Sequence, residues 1–225
     1  GSPEGLYHRD TRHLSHLDLW LAGVRPMLLS STLRDDNATL TCDLTNPDLF
    51  EDGRLVLERD LLHVRRVKFL WESSCHERLA LRNFAAEPIE LALEIRFAAD
   101  FADLFEVRGM QRARRGELQA TEIAPDRVTL AYEGLDGLRR TTRLRFDPAP
   151  AALDAGRAPE RPVGRVRVLR VGAEPVVAGE GLPCAPLPAR LLALDRTGVV
   201  GGEHDPVVLV GLVDHPGLVD LLEVA

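Results

Sequence analysis

The sequence predicts an all-β protein, an antiparallel β-sandwich followed by a Pro/Gly-rich C-terminal tail. Three observations carry this. Apolar residues recur at every second position in one segment after another, turn residues separate those segments at short intervals, and hardly any stretch has the period of an amphipathic helix. Such a chain buries its alternating faces most economically as two sheets packed on each other.

The elements can be justified in order. From Leu14, residues Leu17, Leu19 and Leu21 are apolar with His16 and Asp18 between them, and Gly23 offers a turn. "ATLTCDL" sets Leu40, Cys42 and Leu44 against Thr39, Thr41 and Asp43. "LHVRRVKFLW", Leu62 to Trp71, is rich in branched and aromatic residues, and "CHERLALRNF" carries Leu79 and Leu81 at alternate positions. "PIELALEIRF" puts Ile89, Leu91, Leu93, Ile95 and Phe97 on one face and Glu90, Glu94 and Arg96 on the other. "RVTLAYEG" and "LRRTTRLRF" flank a "GLDG" turn and read as a hairpin. "DFADLFEVRG", Asp100 to Gly109, is the exception: Phe101, Leu104 and Phe105 have helical spacing, which predicts a short helical turn or an irregular corner.

After about Pro150 the material changes, because every Phe, Trp and Tyr precedes that point while more than half of the prolines and glycines follow it. The sandwich is therefore expected over residues 1–150, extending to about 171 if "VGRVRVLRV" adds a strand, with 151–225 an aromatic-free tail or linker. "GEGLPCAPLPAR", Gly179 to Arg190, reads as a proline-punctuated linker. A truncated or shifted reading frame after about residue 155 would produce such a tail.

Composition narrows the function classes. At 45% hydrophobic and 28% charged residues with a formal charge of −7, the chain is expected to be soluble and globular, without the basic face that nucleic-acid binding needs. No run approaches the roughly 18 apolar residues of a membrane span, and no basic-then-apolar leader opens the chain, so neither membrane nor export is expected and the location is read as cytoplasmic. Cys42, Cys75 and Cys184 are odd in number and form no CxxC pair, which predicts reduced thiols rather than a disulfide framework.

The polar clusters are ambiguous. "GLYHRDTRHLSHLDLWL" gathers His8, His13, His16, Asp10 and Asp18, yet on a strand positions 13 and 16 point to opposite faces, so surface histidines are preferred to a metal site. Asp10 lies between Arg9 and Arg12 and can pair with either; alternatively Tyr7, Asp10 and Arg12 line a polar groove for a sugar or a neighbouring domain. Glycoside hydrolysis needs two carboxylates roughly 5 to 10 Å apart. Asp35 and Asp36 would point to opposite faces, and Asp100 and Asp103, neighbours on one turn, are too close to bracket a substrate, so capping and loop roles are expected. No GxSxG, Walker or Rossmann pattern occurs, and Cys75 and His76 would face opposite ways. No catalytic residue, metal or cofactor is assigned. Trp20, on the polar face of its strand, could stack on a sugar if the chain is a carbohydrate-binding module; Trp71 is the other tryptophan.

The series "GLYHRDTRHLS", "LLSSTLRDDNATLTCDLTNPDL", "LHVRRVKFLWESSCHERLALRNF" and "RFAADFADLFEVRG" resembles, in order, the N-terminal domain of bacterial glycogen-debranching-type enzymes, the amylo-alpha-1,6-glucosidase family. The resemblance runs from about Gly5 to Asp147. It implies a β-sandwich that itself lacks the hydrolytic acids, those belonging to a following (α/α)6 domain. It therefore implies an (α/α)6 glycosidase domain as partner and an α-glucan as a possible ligand, with Tyr7, Asp10, Arg12, Trp20, Asp100 and Asp103 as candidate glucan or domain-interface residues.

Overall fold

The computed structural model describes residues 3–71, 73–87, 89–155, 163–169 and 207–214. Strands β1 (Leu6–His8) and β2 (Thr11–Leu14) form a hairpin, and β3 (His16–Leu21) follows after Ser15. Next come β4 (Met27–Leu33), β5 (Thr39–Thr45), the small hairpin β6 (Leu49–Glu51) and β7 (Arg54–Leu57), and the long hairpin β8 (Leu62–Trp71) and β9 (Ser74–Asn83). After β10 (Ala92–Ala98) a single helical turn, α1 (Leu104–Val107), leads to β11 (Glu117–Leu118), β12 (Glu122–Ala124), β13 (Arg127–Glu133) and β14 (Arg139–Asp147). Strands β15 (Ala152–Ala155), β16 (Val163–Leu169) and β17 (Val207–Asp214) complete the described elements. The linker expected over 179–190 lies outside the described residues.

Two sheets result. A four-stranded sheet runs β15-β16-β10-β3, and a nine-stranded sheet runs β11-β13-β14-β17-β9-β8-β5-β4 with β12 also on β13. They are antiparallel, as the alternation predicts, with one addition: β17 lies parallel to both β9 and β14. The facing sides supply the core. Leu19, Leu21, Leu93, Ile95 and Phe97 from one sheet meet Leu62, Val64, Leu79, Leu130 and Leu144 from the other, all 4% exposed or less. The Phe97 and Phe146 ring centroids stand 6.2 Å apart across that contact. Each such side chain contributes about 1.5–3 kcal/mol by leaving water.

The alternation in "PIELALEIRF" survives, but the strand starts at Ala92 rather than at the first apolar residue. Its neighbour β3 ends at Leu21, opposite Leu93, where Ala22 and Gly23 take positive φ and turn the chain away. Residues before Ala92 thus have no strand of β3 to pair with. "RVTLAYEG" and "LRRTTRLRF" form the expected hairpin, β13 with β14, closed by a Gly134 N–H to Leu138 C=O bond of 2.9 Å.

Three inward positions hold charge, Arg66 and Lys68 on β8 and Glu77 on β9. Glu77 on β9 is fully buried; Arg66 on β8 donates to its carboxylate at 2.7 and 3.1 Å and to the Leu17 carbonyl of the opposite sheet at 2.9 Å. Lys68 Nζ lies 3.6 Å from the same carboxylate. Burial alone would push the Glu77 pKa up, but the two cations outweigh it and hold the group below the usual carboxylate range. Arg66 therefore staples the two sheets through one carboxylate and one backbone carbonyl.

Among the described residues no helix is long and apolar enough to cross a membrane.

Candidate functional site

The corner "DFADLFEVRG" and the opening "YHRDTR" stand far apart in sequence, and the fold brings them together. The Arg12 guanidinium forks onto the Asp100 carboxylate, Nη2 to Oδ2 at 2.5 Å and Nε to Oδ1 at 3.1 Å. Backbone bonds run both ways between the segments, from Arg12 N–H to Ala102 C=O at 2.8 Å and from Leu104 N–H to Asp10 C=O at 3.1 Å. The bond to Asp100 is the main reason that the Arg12 pKa is raised despite its burial.

Asp103 fixes the next step of the chain. As the N-cap of α1 it accepts from the Phe105 and Glu106 N–H groups at 2.8 and 2.9 Å, while Glu106 accepts from the Asp103 N–H at 3.0 Å, a reciprocal capping box. Its second oxygen takes Arg112, Nη2 at 2.6 Å and Nε at 3.1 Å. Burial would raise the Asp103 pKa, but these N–H donors hold it low. Arg115 bonds Glu106 at 2.8 Å and the Asp100 carbonyl at 2.7 Å. Across from them Arg140 holds Asp136 at 2.8 and 3.1 Å, depressing that carboxyl to about 2.

These groups surround a cleft of about 300 Å³ lined by Arg112, Arg114, Arg115, Arg140, Asp136 and the Tyr132 ring, among others. Phe101 stacks on Tyr132 with centroids 5.6 Å apart, and Tyr132 Oη accepts from the Gly116 N–H at 2.7 Å, so the floor is braced from both sides. Each acid named is already engaged by an arginine, a backbone N–H or both. Chemically the corner is an arginine-bearing shelf whose acids are held in ion pairs and caps. Arg114, exposed on its rim, has no ion-pair partner among the described residues.

The six candidate residues thus separate. Arg12, Asp100 and Asp103 are joined by the corner, and Asp103 alone of them lines the arginine cleft. Asp10 pairs with neither flanking arginine: its backbone takes φ +62° at the tip of the β1–β2 hairpin, and Arg12 reaches Asp100 instead. Tyr7 stands opposite Arg12 in the hairpin and gives its hydroxyl to the Pro3 carbonyl at 2.7 Å. Trp20 is on the outer face of β3, as expected, but is not free: the Arg96 guanidinium carbon sits 3.8 Å and that of Arg25 5.3 Å from its ring centroid, and its Nε1 is buried without a partner.

The histidines also need correction. His13 and His16 belong to two different strands, and His13 is buried rather than on the surface, packed against the Phe101 ring at 5.5 Å with Thr142 Oγ1 bonding its carbonyl at 2.8 Å. Burial lowers its pKa to about 4. No cluster of three or more His, Cys, Asp or Glu side chains able to hold a metal occurs among the described residues.

Two features escaped the sequence reading. The cleft arginines carry a local signal, the "RARRG" run, which could have been read as a patch once α1 was placed beside it. The inward acid Glu77 had none, since "CHERLALRNF" shows its partners only when β8 is paired. A second cleft, about 380 Å³ between the sheets, is lined by Leu17, Leu40, Lys68, Leu70 and Cys75, whose thiol burial pushes up to about 11.

The sequence has no match among the curated proteins. The family described as the N-terminal domain of some glycogen debranching enzymes matches residues 1–162, nearly the whole span of both sheets before β17. With that match over most of its length and the two-sheet fold on which its corner is built, the chain belongs to the family of N-terminal domains of glycogen debranching enzymes.

Proposed function

We propose that the chain is the non-catalytic N-terminal domain of a glycogen-debranching-type α-glucan hydrolase of the amylo-alpha-1,6-glucosidase kind, working in the cytoplasm and packing on an (α/α)6 catalytic domain. One observation carries the reading: the two segments singled out as interface candidates converge through Arg12 and Asp100 into a braced corner that presents an arginine-lined cleft. A docking surface needs side chains held in place before the partner arrives, and bidentate arginine pairs do this at low entropic cost. Arg114, exposed and without an ion-pair partner among the described residues, is the group to meet an acidic partner side chain.

The test is calorimetric titration of the chain with an isolated (α/α)6 domain from a debranching enzyme of the same family. Binding is expected, weakened by Arg114→Glu and by Asp103→Ala. Absence of binding, or binding indifferent to both changes, defeats the reading, as does release of glucose from a branched glucan by this chain alone.

A second reading, a carbohydrate-binding module, is favoured by a different pair of rings. Trp71 is 56% exposed, and Phe69 lies two residues before it on the same strand with the ring planes 15° apart and centroids 6.3 Å apart. Such a flat aromatic strip suits the apolar face of a pyranose. Maltooligosaccharide titration followed by tryptophan fluorescence separates the readings: a signal lost in Trp71→Ala and kept in Trp20→Phe supports the module, and no signal removes it.

A further inference from the structure

The cleft at the corner holds more hydrogen-bond donors than acceptors to receive them. Its lining carries four guanidinium groups, on Arg112, Arg114, Arg115 and Arg140, against three carboxylates, on Asp103, Glu106 and Asp136. Every carboxylate oxygen is already engaged. Asp103 accepts two backbone N–H groups on Oδ1 and Arg112 on Oδ2. Glu106 takes the Asp103 N–H on Oε2 and Arg115 on Oε1, while Asp136 takes Arg140 on both oxygens and the Leu138 N–H at 3.1 Å on Oδ1. The guanidinium groups are not saturated in return. Arg112 directs Nε and Nη2 to a single oxygen, and Arg115 directs Nε to Glu106 and Nη2 to the Asp100 carbonyl, so the Nη1 of each has no partner among the described residues. Arg114 is exposed with all its donors open in the same sense. A guanidinium offers five N–H donors and accepts nothing, so the group that satisfies this surplus must be an acceptor throughout and negatively charged.

We propose that this cleft binds a phosphate group, free or carried by a small molecule, with Arg114 as its chief donor and Arg112 and Arg115 beside it. The planar guanidinium fork matches two oxygens of a phosphate, and such charge-assisted bonds are the strong ones. With each acid balanced by its own arginine, the fourth guanidinium leaves the lining with a surplus positive charge. A volume of about 300 Å³ lies at the small end for ligand sites, which suits a compact anion better than a chain of sugars. A neutral sugar also lacks its usual platform here. The two lining rings, Phe101 and Tyr132, are buried and stacked on each other, and the Arg115 guanidinium carbon stands 5.7 Å from the Tyr132 centroid, so no bare aromatic face is offered. The site is built from this chain alone. The inference is therefore independent of docking to a catalytic domain, and a chain that failed to dock would still bind the anion.

Titration of the isotope-labelled full chain at constant ionic strength, followed by proton–nitrogen correlation spectra that include the arginine Nε–H signals, tests it. The titrants are sodium phosphate, glucose 6-phosphate and glucose. Both phosphates are expected to give saturable shifts centred on Arg112 to Gly116, and glucose none. Tighter binding of glucose 6-phosphate assigns the site to a phosphorylated sugar, and equal or tighter binding of inorganic phosphate assigns it to the free ion. Arg114→Ala, at an exposed position, weakens binding about tenfold and leaves Tm unchanged, whereas Arg54→Ala, at an exposed arginine of β7 outside the cleft, leaves binding as it was. Asp103→Asn keeps an acceptor for the α1 cap but removes the counter-charge of Arg112, so it tightens binding roughly fivefold. The absence of saturable shifts with either phosphate, an unchanged affinity in Arg114→Ala, an equal loss in Arg54→Ala, or no tightening in Asp103→Asn overturns the proposal.

Discussion

Arg66 on β8 and Glu77 on β9 are joined inside the sandwich by two contacts, 2.7 and 3.1 Å, with the Glu77 side chain wholly buried. Because Arg66 also binds the Leu17 carbonyl, the pair links both sheets. Removing one partner strands the other charge in the interior. Glu77→Gln is therefore expected to cost about 3–5 kcal/mol in urea unfolding, whereas replacing both residues by apolar ones costs less. A loss below about 1 kcal/mol would mean that the pair behaves like one at the surface.

Acid should weaken the fold before the carboxylates titrate. Burial holds His13 to about 4, and His76 is lowered by the same cause. The unfolded chain takes up these protons first, so the stability is fully present above about pH 6.5, the unfolded value, and drains away as pH falls towards the folded one. For His13 the loss between about pH 7 and about pH 5 is about 2 kcal/mol. Denaturant unfolding at both pH values should show it, and His13→Gln should remove most of the slope. An unaltered slope in that variant would assign the effect elsewhere.

At the corner, geometry matters more than charge. Arg12 binds Asp100 with two nitrogens, and a lysine could offer only one point contact. Arg12→Lys is expected to lose about 1–2 kcal/mol and to expose the Asp100 to Gly109 segment to trypsin at Arg108. Equal trypsin half-lives for variant and parent would show that the backbone bonds suffice.

Asp103→Ala removes the cap of α1 and frees Arg112 together. The stability loss should be about 1 kcal/mol, read from thermal unfolding. Asp103→Asn, which keeps an acceptor for the N–H groups, should recover most of it; no recovery would make Arg112 the main partner.

The strands were legible because a half-buried sheet writes its period directly into the chain: Leu17, Leu19 and Leu21, or Leu93, Ile95 and Phe97, face inward whatever the details of pairing. Arg66, Lys68 and Glu77 break that code. They occupy inward positions as a charged set whose compensation appears only when β8 and β9 lie side by side. Glu94 is similar, a polar-face residue buried beside Arg96. The corner was half legible: Asp103 and Glu106 have the spacing of a capping box, but the partner that fixes Asp100 is 88 residues away. Trp20 was put on the correct face, yet its two arginine neighbours come from β10 and from the turn after its own strand, and alternation says nothing of them.

The pairing of β3 has a consequence for how the chain leaves the ribosome. Its one neighbour among the described residues is β10, made only after β4 through β9 have emerged and can already zip into successive hairpins. Until then Leu17, Leu19 and Leu21 wait without a ladder, so the smaller sheet closes late over a platform that is already built. Holding that nascent apolar strip out of the wrong company is the step at which a cell would need a chaperone.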